Sequence, residues 1–168
     1  MALRRIVSSA QLPSVRAAHP MSLKGDYTAR LSSKRETVYE DKILKVVWDP
    51  GTGVVEAVAL GQMTSPEFRA ALERLLAALK DKRARKCLAD LGNAGNISLD
   101  DLLWSNSDWF PRCLRTSVKV FALVMPKSLA GHMAMDKATQ NWAPEKTGNT
   151  TRAFFSDVAS AREWLLKQ

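Results

Sequence analysis

Lys86-Cys-Leu-Ala-Asp-Leu-Gly-Asn-Ala-Gly-Asn-Ile-Ser-Leu-Asp-Asp-Leu102 is the stretch whose reading decides the fold. A short apolar strand, Lys86–Leu91, runs into a Gly/Asn loop. The loop runs into a helix that Ser98 opens, with Asp101 three residues on in the manner of a capping box. In an open α/β sheet such a junction faces the edge where ligands and partners dock. No nucleophile–base pair, metal cluster or nucleotide fingerprint accompanies it. The sequence therefore argues a fold class without stating an activity.

Upstream, Thr37–Asp41 and Ile43–Asp49 are rich in β-branched and aromatic residues and predict one bent strand or a pair. Pro50-Gly-Thr-Gly53 is a turn, and Val54–Leu60 returns as a further strand, so the domain opens on a β-hairpin. Ser65-Pro-Glu-Phe68 starts a helix, with Ser65 as the N-cap, Pro66 at the first helical position and Glu67 in the first turn. Phe68, Leu72, Leu75, Leu76 and Leu79 share one helical face and predict a core stripe.

Downstream, the Ser98 helix is expected to reach about Thr116, broken or kinked at Pro111. Its core spacing is Leu103, Phe110 and Leu114, which leaves Trp104 off that face. Val118–Met125 is apolar on both sides and predicts a central strand. A helix over 129–142, a polar loop over 143–149, a strand over Thr151–Phe155 and a helix capped by Ser156-Asp157 complete the chain. The last helix turns Val158, Ala161 and Leu165 inward, with Trp164 beside them. The order predicts an α/β domain: a mostly parallel β-sheet with an N-terminal antiparallel hairpin, flanked by about four helices.

The chain has 168 residues and a net charge of +8, with 46% hydrophobic and 25% charged residues. That is the size and composition of one soluble globular domain. The charge is not spread evenly: residues 1–35 carry +6 and residues 36–168 only +2. The near-neutral remainder gives no reason to expect nucleic acid. Lys80-Asp-Lys-Arg-Ala-Arg-Lys86 reads as a solvated helix C-terminus, where cations suit the macrodipole. Residues 1–35 are Arg/Ser/Ala-rich, with Asp26 the one acid. A disordered basic extension is the expectation, against a targeting segment or a start at Met21. The single α/β domain then occupies 36–168. No apolar run approaches the roughly 20 residues of a membrane span. Cys87 and Cys113, without paired spacing, read as core residues of a cytoplasmic protein, and neither metal nor cofactor is expected.

Three phrases carry a family resemblance: Cys87-Leu-Ala-Asp-Leu91 with its loop and Ser98 helix, Asp108-Trp-Phe-Pro-Arg112, and the closing Phe155-Ser-Asp-Val-Ala-Ser-Ala-Arg-Glu-Trp-Leu165. With the hairpin start, they make residues 37–168 resemble STAS-type domains, the modules of anti-sigma-factor antagonists and sulfate transporters. Closer still is the resemblance to small bacterial STAS/SEC14-like proteins. The resemblance implies a signalling or protein-binding role. Antagonist-type members open this helix with Asp-Ser-Ser-Gly and a phosphorylated serine. Here the matching stretch is Asn96-Ile-Ser-Leu-Asp-Asp101, where a phosphoryl group on Ser98 would meet two acids. Ser98 is therefore read first as a structural N-cap, with Asp101 reaching back to its amide. On that reading Ser98→Asp is tolerated.

Candidate residues fall into two groups. The loop group is Asp90, Gly92, Asn93, Gly95, Asn96 and Ser98, in which Asp90 accepts from loop amides and the glycines serve the turn. The loop matches neither GxGxxG nor a P-loop. The second group is Trp104, Trp109, Met135 and Trp142, aromatic and Met residues suited to a partner or a ligand. His132, with Asp136 four residues on, reads as a surface histidine. No catalytic constellation can be assembled, so a non-catalytic STAS-like regulatory or protein-interaction module is expected. Its partner is a protein, with a homodimer as an open alternative. The other reading is a small apolar-ligand (lipid-like) binding protein with a helix lid. An open convex face at the second group favours a partner, and a closed concavity favours a ligand.

Overall fold

The computed structural model describes residues 34–140 and 150–168. The sheet begins with β1 (Glu36–Glu40), β2 (Leu44–Asp49) and β3 (Val54–Ala59), an antiparallel meander. The first apolar stretch is thus two strands, separated because Asp41 accepts from the amides of Ile43 and Leu44 and turns the chain. Three parallel strands follow: β4 (Lys86–Asp90), β5 (Val120–Val124) and β6 (Thr151–Phe155).

The spatial order is β1-β2-β3-β4-β5-β6, the order of the sequence itself. It never reverses, so the sheet has no topological switch point, and the docking crevice expected beside the β4 junction does not form by that route. Successive connections of one hand instead lay their helices on the same face. These are α1 (Ser65–Asp81), the bent α2–α3 unit (Leu99–Trp104, then Phe110–Cys113) and α4 (Leu129–Gln140). They bury the larger core with Phe68, Leu75, Leu79, Leu102, Phe121 and Met135. Among the described residues α5 (Val158–Leu166) is the one helix on the other face, over Val54, Leu88, Ala122 and Val124. Ala161 and Leu165 are its buried residues, with Val158 and Trp164 packed beside them.

Helix starts follow local chemistry. Thr64, not Ser65, is the N-cap of α1: the Glu67 carboxylate accepts from the Thr64 amide at 2.9 Å and from its hydroxyl at 2.8 Å. That frees Ser65 for another role. Asp157 caps α5 by accepting from the Ser160 amide at 2.8 Å. Cys87 and Cys113 are free, fully buried core residues. Burial raises both thiols, that of Cys113 to about 12.

The expected extension over 1–35 lies outside the described residues except for Lys34 and Arg35. Arg35 is tied to the domain through Asp49 and the buried Glu56, which Arg162 of α5 also clamps.

Candidate functional site

The β4 junction is wired internally. The Asp90 carboxylate accepts from the Gly92 amide at 2.9 Å, as the sequence suggested. Gly95 adopts φ +76°, and a Cβ there would strike the Gln62 side chain, so both conformation and space require glycine. The Gly95 carbonyl accepts from the Ser128 hydroxyl at 3.0 Å, the Ala94 carbonyl from the Met63 amide, and the Gly92 carbonyl from the Lys127 amide. Lys127 Nζ lies 3.4 Å from Asn93 Oδ1.

Ser98 is the N-cap of α2, and its hydroxyl oxygen accepts from the Asp101 amide at 3.1 Å. Asp101 does not reach back to the Ser98 amide. Its carboxylate is buried and accepts from the Ser98 hydroxyl at 2.7 Å, the Ser65 hydroxyl at 2.7 Å and Arg69 Nε at 2.8 Å. Burial pushes the Asp101 carboxyl up, but these three donors outweigh it and hold the group below the ordinary carboxylate range. The junction thus bolts α2 to α1. Sequence spacing made Asp101 look like half of a capping box; the pointer to its real partners was Ser65 and Arg69 four residues apart on one face of α1.

Past Trp104 the helix widens into a π turn, Ser105–Trp109, and the Phe110 amide donates to the Ser105 carbonyl. Pro111 sits at the head of α3, where it has no N–H to return to the preceding turn. The expected kink is therefore a π turn, a feature frequent at functional sites. The buried stripe becomes Leu102, Trp109, Phe110 and Cys113, while Leu103 is 42% exposed and leaves the core role expected of it. Two consecutive aromatics turn inward, and both meet the Phe121 ring edge-on, at centroid distances of 6.1 Å for Trp109 and 5.8 Å for Phe110.

Beneath this turn lies a cavity of about 50 Å³. α1 gives it Phe68 and Leu72, the strands give Ala89, Phe121, Leu123 and Arg152, and α4 gives Met135. Trp109 is buried with its indole N–H donating to the Leu72 carbonyl at 2.7 Å, and Met135 is buried as well. Neither belongs to an exposed partner surface, which corrects one of the two readings of that group. Trp104 is half-buried beneath the Arg69 guanidinium, 4.7 Å from its ring centroid. Trp142 lies outside the described residues.

Among the described residues Arg152 is the cavity's one charged wall. Its guanidinium lies 3.6 Å from the Phe110 ring centroid, and Nη1 is 3.4 Å from Asn106 Oδ1. Burial pushes the guanidinium down from its ordinary value. Because an arginine stays protonated in proteins, the consequence is a half-buried cation beside an apolar space. Sequence reasoning passed over it. The signal was a basic residue at an alternate position of β6 that pairs with Phe121 and so faces the larger core. His132 is half-exposed, 3.8 Å from Asp136, as a surface histidine would be.

No family model, no curated protein and no solved structure matches the chain. Among the described residues no helix is long and apolar enough to cross a membrane, and no cluster of three or more metal-ligating side chains forms.

Proposed function

We propose that this chain is a non-catalytic regulatory module of STAS-like build that binds a small amphipathic molecule in the cavity beneath the π turn. The observation that carries the proposal is the inward turn of Trp109 and Met135: these two candidate residues line a concavity instead of a convex face. The apolar walls suit an alkyl body, and Arg152 suits an anionic or accepting head. The volume matches a few water-sized groups, so the ligand is a short chain or branched end and not a full lipid tail. α1, α2, the π turn, α4 and the sheet all contribute walls, so occupancy would fix the helices against the strands.

A second reading, docking of a protein, draws on Leu103, Leu129 and Met133, which are 42%, 77% and 63% exposed on α2 and α4. The two readings meet on α2, where Leu102 lines the cavity and Leu103 faces solvent. A ligand that shifts α2 would alter the surface a partner meets.

Thermal melts with hexanoate and 1-hexanol test the ligand reading. Binding to the folded state raises the melting temperature with ligand concentration. Ala89→Val adds two methyl groups at the cavity wall and is expected to fold and to abolish that rise. No rise with either compound, or an equal rise in Ala89→Val, would overturn the reading.

A further inference from the structure

The opposite end of the sheet holds a second cleft, of about 650 Å³. The β2–β3 turn, the α1–β4 connection and the start of β5 enclose it. Arg83, Arg85, Lys86 and Lys119 line it, and no aspartate or glutamate does. From sequence the basic run before β4 reads as a solvated helix end, but the fold adds Lys119 from a different connection. The Arg85 carbonyl accepts from the amides of Lys119 at 2.8 Å and Val120 at 3.2 Å, which fixes the two cationic segments side by side.

Nearby acids are already committed. Glu36 and Asp81 pair with Lys82, and Asp49 holds Arg35 and the amides of Gly51 and Thr52. Lys86 Nζ donates to the Leu165 carbonyl at 2.9 Å. Among the described residues the side chains of Arg83, Arg85 and Lys119 have no ion pair or hydrogen bond, so like charges accumulate in a lining that holds no carboxylate side chain.

Arg83 adds an independent observation. It has φ 48°, the one non-glycine residue in the left-handed region among those described, at the end of α1 where glycine is the ordinary choice. A side chain kept where its backbone is strained points to a use for that side chain. The +6 segment of residues 1–35 also joins the domain at this end, since Glu36 pairs with Trp48 and Trp48 lines the cleft.

We propose that this cleft binds a polyphosphate group. Several cations in a row match a ligand with several adjacent negative charges, and two arginines supply paired N–H donors that suit phosphate oxygens. The group can come as inorganic polyphosphate or on a nucleotide, whose base would find the Trp48 ring in the wall.

Calorimetric titration of the full chain with sodium tripolyphosphate and with ATP tests this. Saturable binding that weakens as ionic strength rises is expected. Tighter binding of ATP with a change in Trp48 fluorescence, lost in Trp48→Leu, assigns the nucleotide; equal binding assigns the phosphate chain alone. Arg85→Gln/Lys119→Gln should lower affinity at least ten-fold with an unchanged melting temperature. Arg83→Gly should lower affinity while raising the melting temperature. The proposal is overturned if neither compound binds at low ionic strength. It is overturned equally if the double variant binds undiminished, which would place binding on the basic N-terminal segment.

Discussion

The two ends of this sheet are built on opposite terms. At the end where β4 runs into α2, two carboxylates are answered: Asp90 by a loop amide, and Asp101 by three donors from two helices. At the other end, the side chains of Arg83, Arg85 and Lys119 face a cleft with no answering group among the described residues. The glycines and capping residues that attract the eye in the sequence belong to the satisfied end. A conspicuous loop can therefore be conspicuous because it is difficult to build, while residues available for binding sit in an ordinary-looking basic connection.

The sharpest way to break this contrast is Asp101. Removing a buried carboxylate that pairs with Arg69 strands its donors, so Asp101→Ala should cost about 3 kcal/mol in denaturant unfolding. The pH dependence has a definite sign. Asp101 has a folded-state pKa below its unfolded one, so its contribution is complete above about pH 4 and is lost as pH falls through the lower, folded value. Acid titration of wild type should show this loss, and Asp101→Ala should lack it. A variant as stable as wild type would mean that the junction is not a structural bolt.

Ser98 sharpens the same point at smaller scale. With the Asp101 carboxylate 2.7 Å from its hydroxyl, Ser98→Asp would set two carboxylates together. Its expected tolerance does not survive that geometry. Ser98→Asp should cost about 2 kcal/mol at neutral pH, partly recovered on acidification, and Ser98→Ala about 1 kcal/mol for the lost cap. Thermal melts of both variants at neutral and acidic pH check the order. Alanine melting lower than aspartate would contradict it.

The smallest effects belong to the basic end. Arg85→Gln and Lys119→Gln should each change stability by less than about 0.5 kcal/mol, because neither side chain has a partner to lose among the described residues. Chemical denaturation reads this directly, and a larger loss in either variant would show that the cations support the fold.

How far the sequence reached follows from which rules are local. Alternation and helical period located β2 to β6 and α1, and the cap chemistry of Ser98 and Asp157 needed only neighbouring residues. The first error, Ser65 for Thr64 at the start of α1, overlooked a local signal, since Glu67 stands three residues after Thr64 as a capping box requires. The π turn was out of reach because Pro111 announces a distortion without saying which kind, and its register change exchanged Leu103 for Leu102 and turned Trp109 inward. Asp90 was legible because its partner is two residues away. Arg152 and Lys119 were not, since their neighbours come from β5, the π turn and the α1–β4 connection, which strand order alone brings together.

On the proposed function, a small amphipathic molecule meets this protein inside the cavity beneath the π turn and not on its α2–α4 surface. Methyl-resolved NMR of the full chain during titration with hexanoate tests it most directly. Saturable shifts of the Leu72, Leu91, Leu102, Leu123 and Met135 methyl groups are expected, with those of Leu129 and Met133 little changed. Shifts concentrated at Leu103, Leu129 and Met133, with the cavity methyls unmoved, would contradict it.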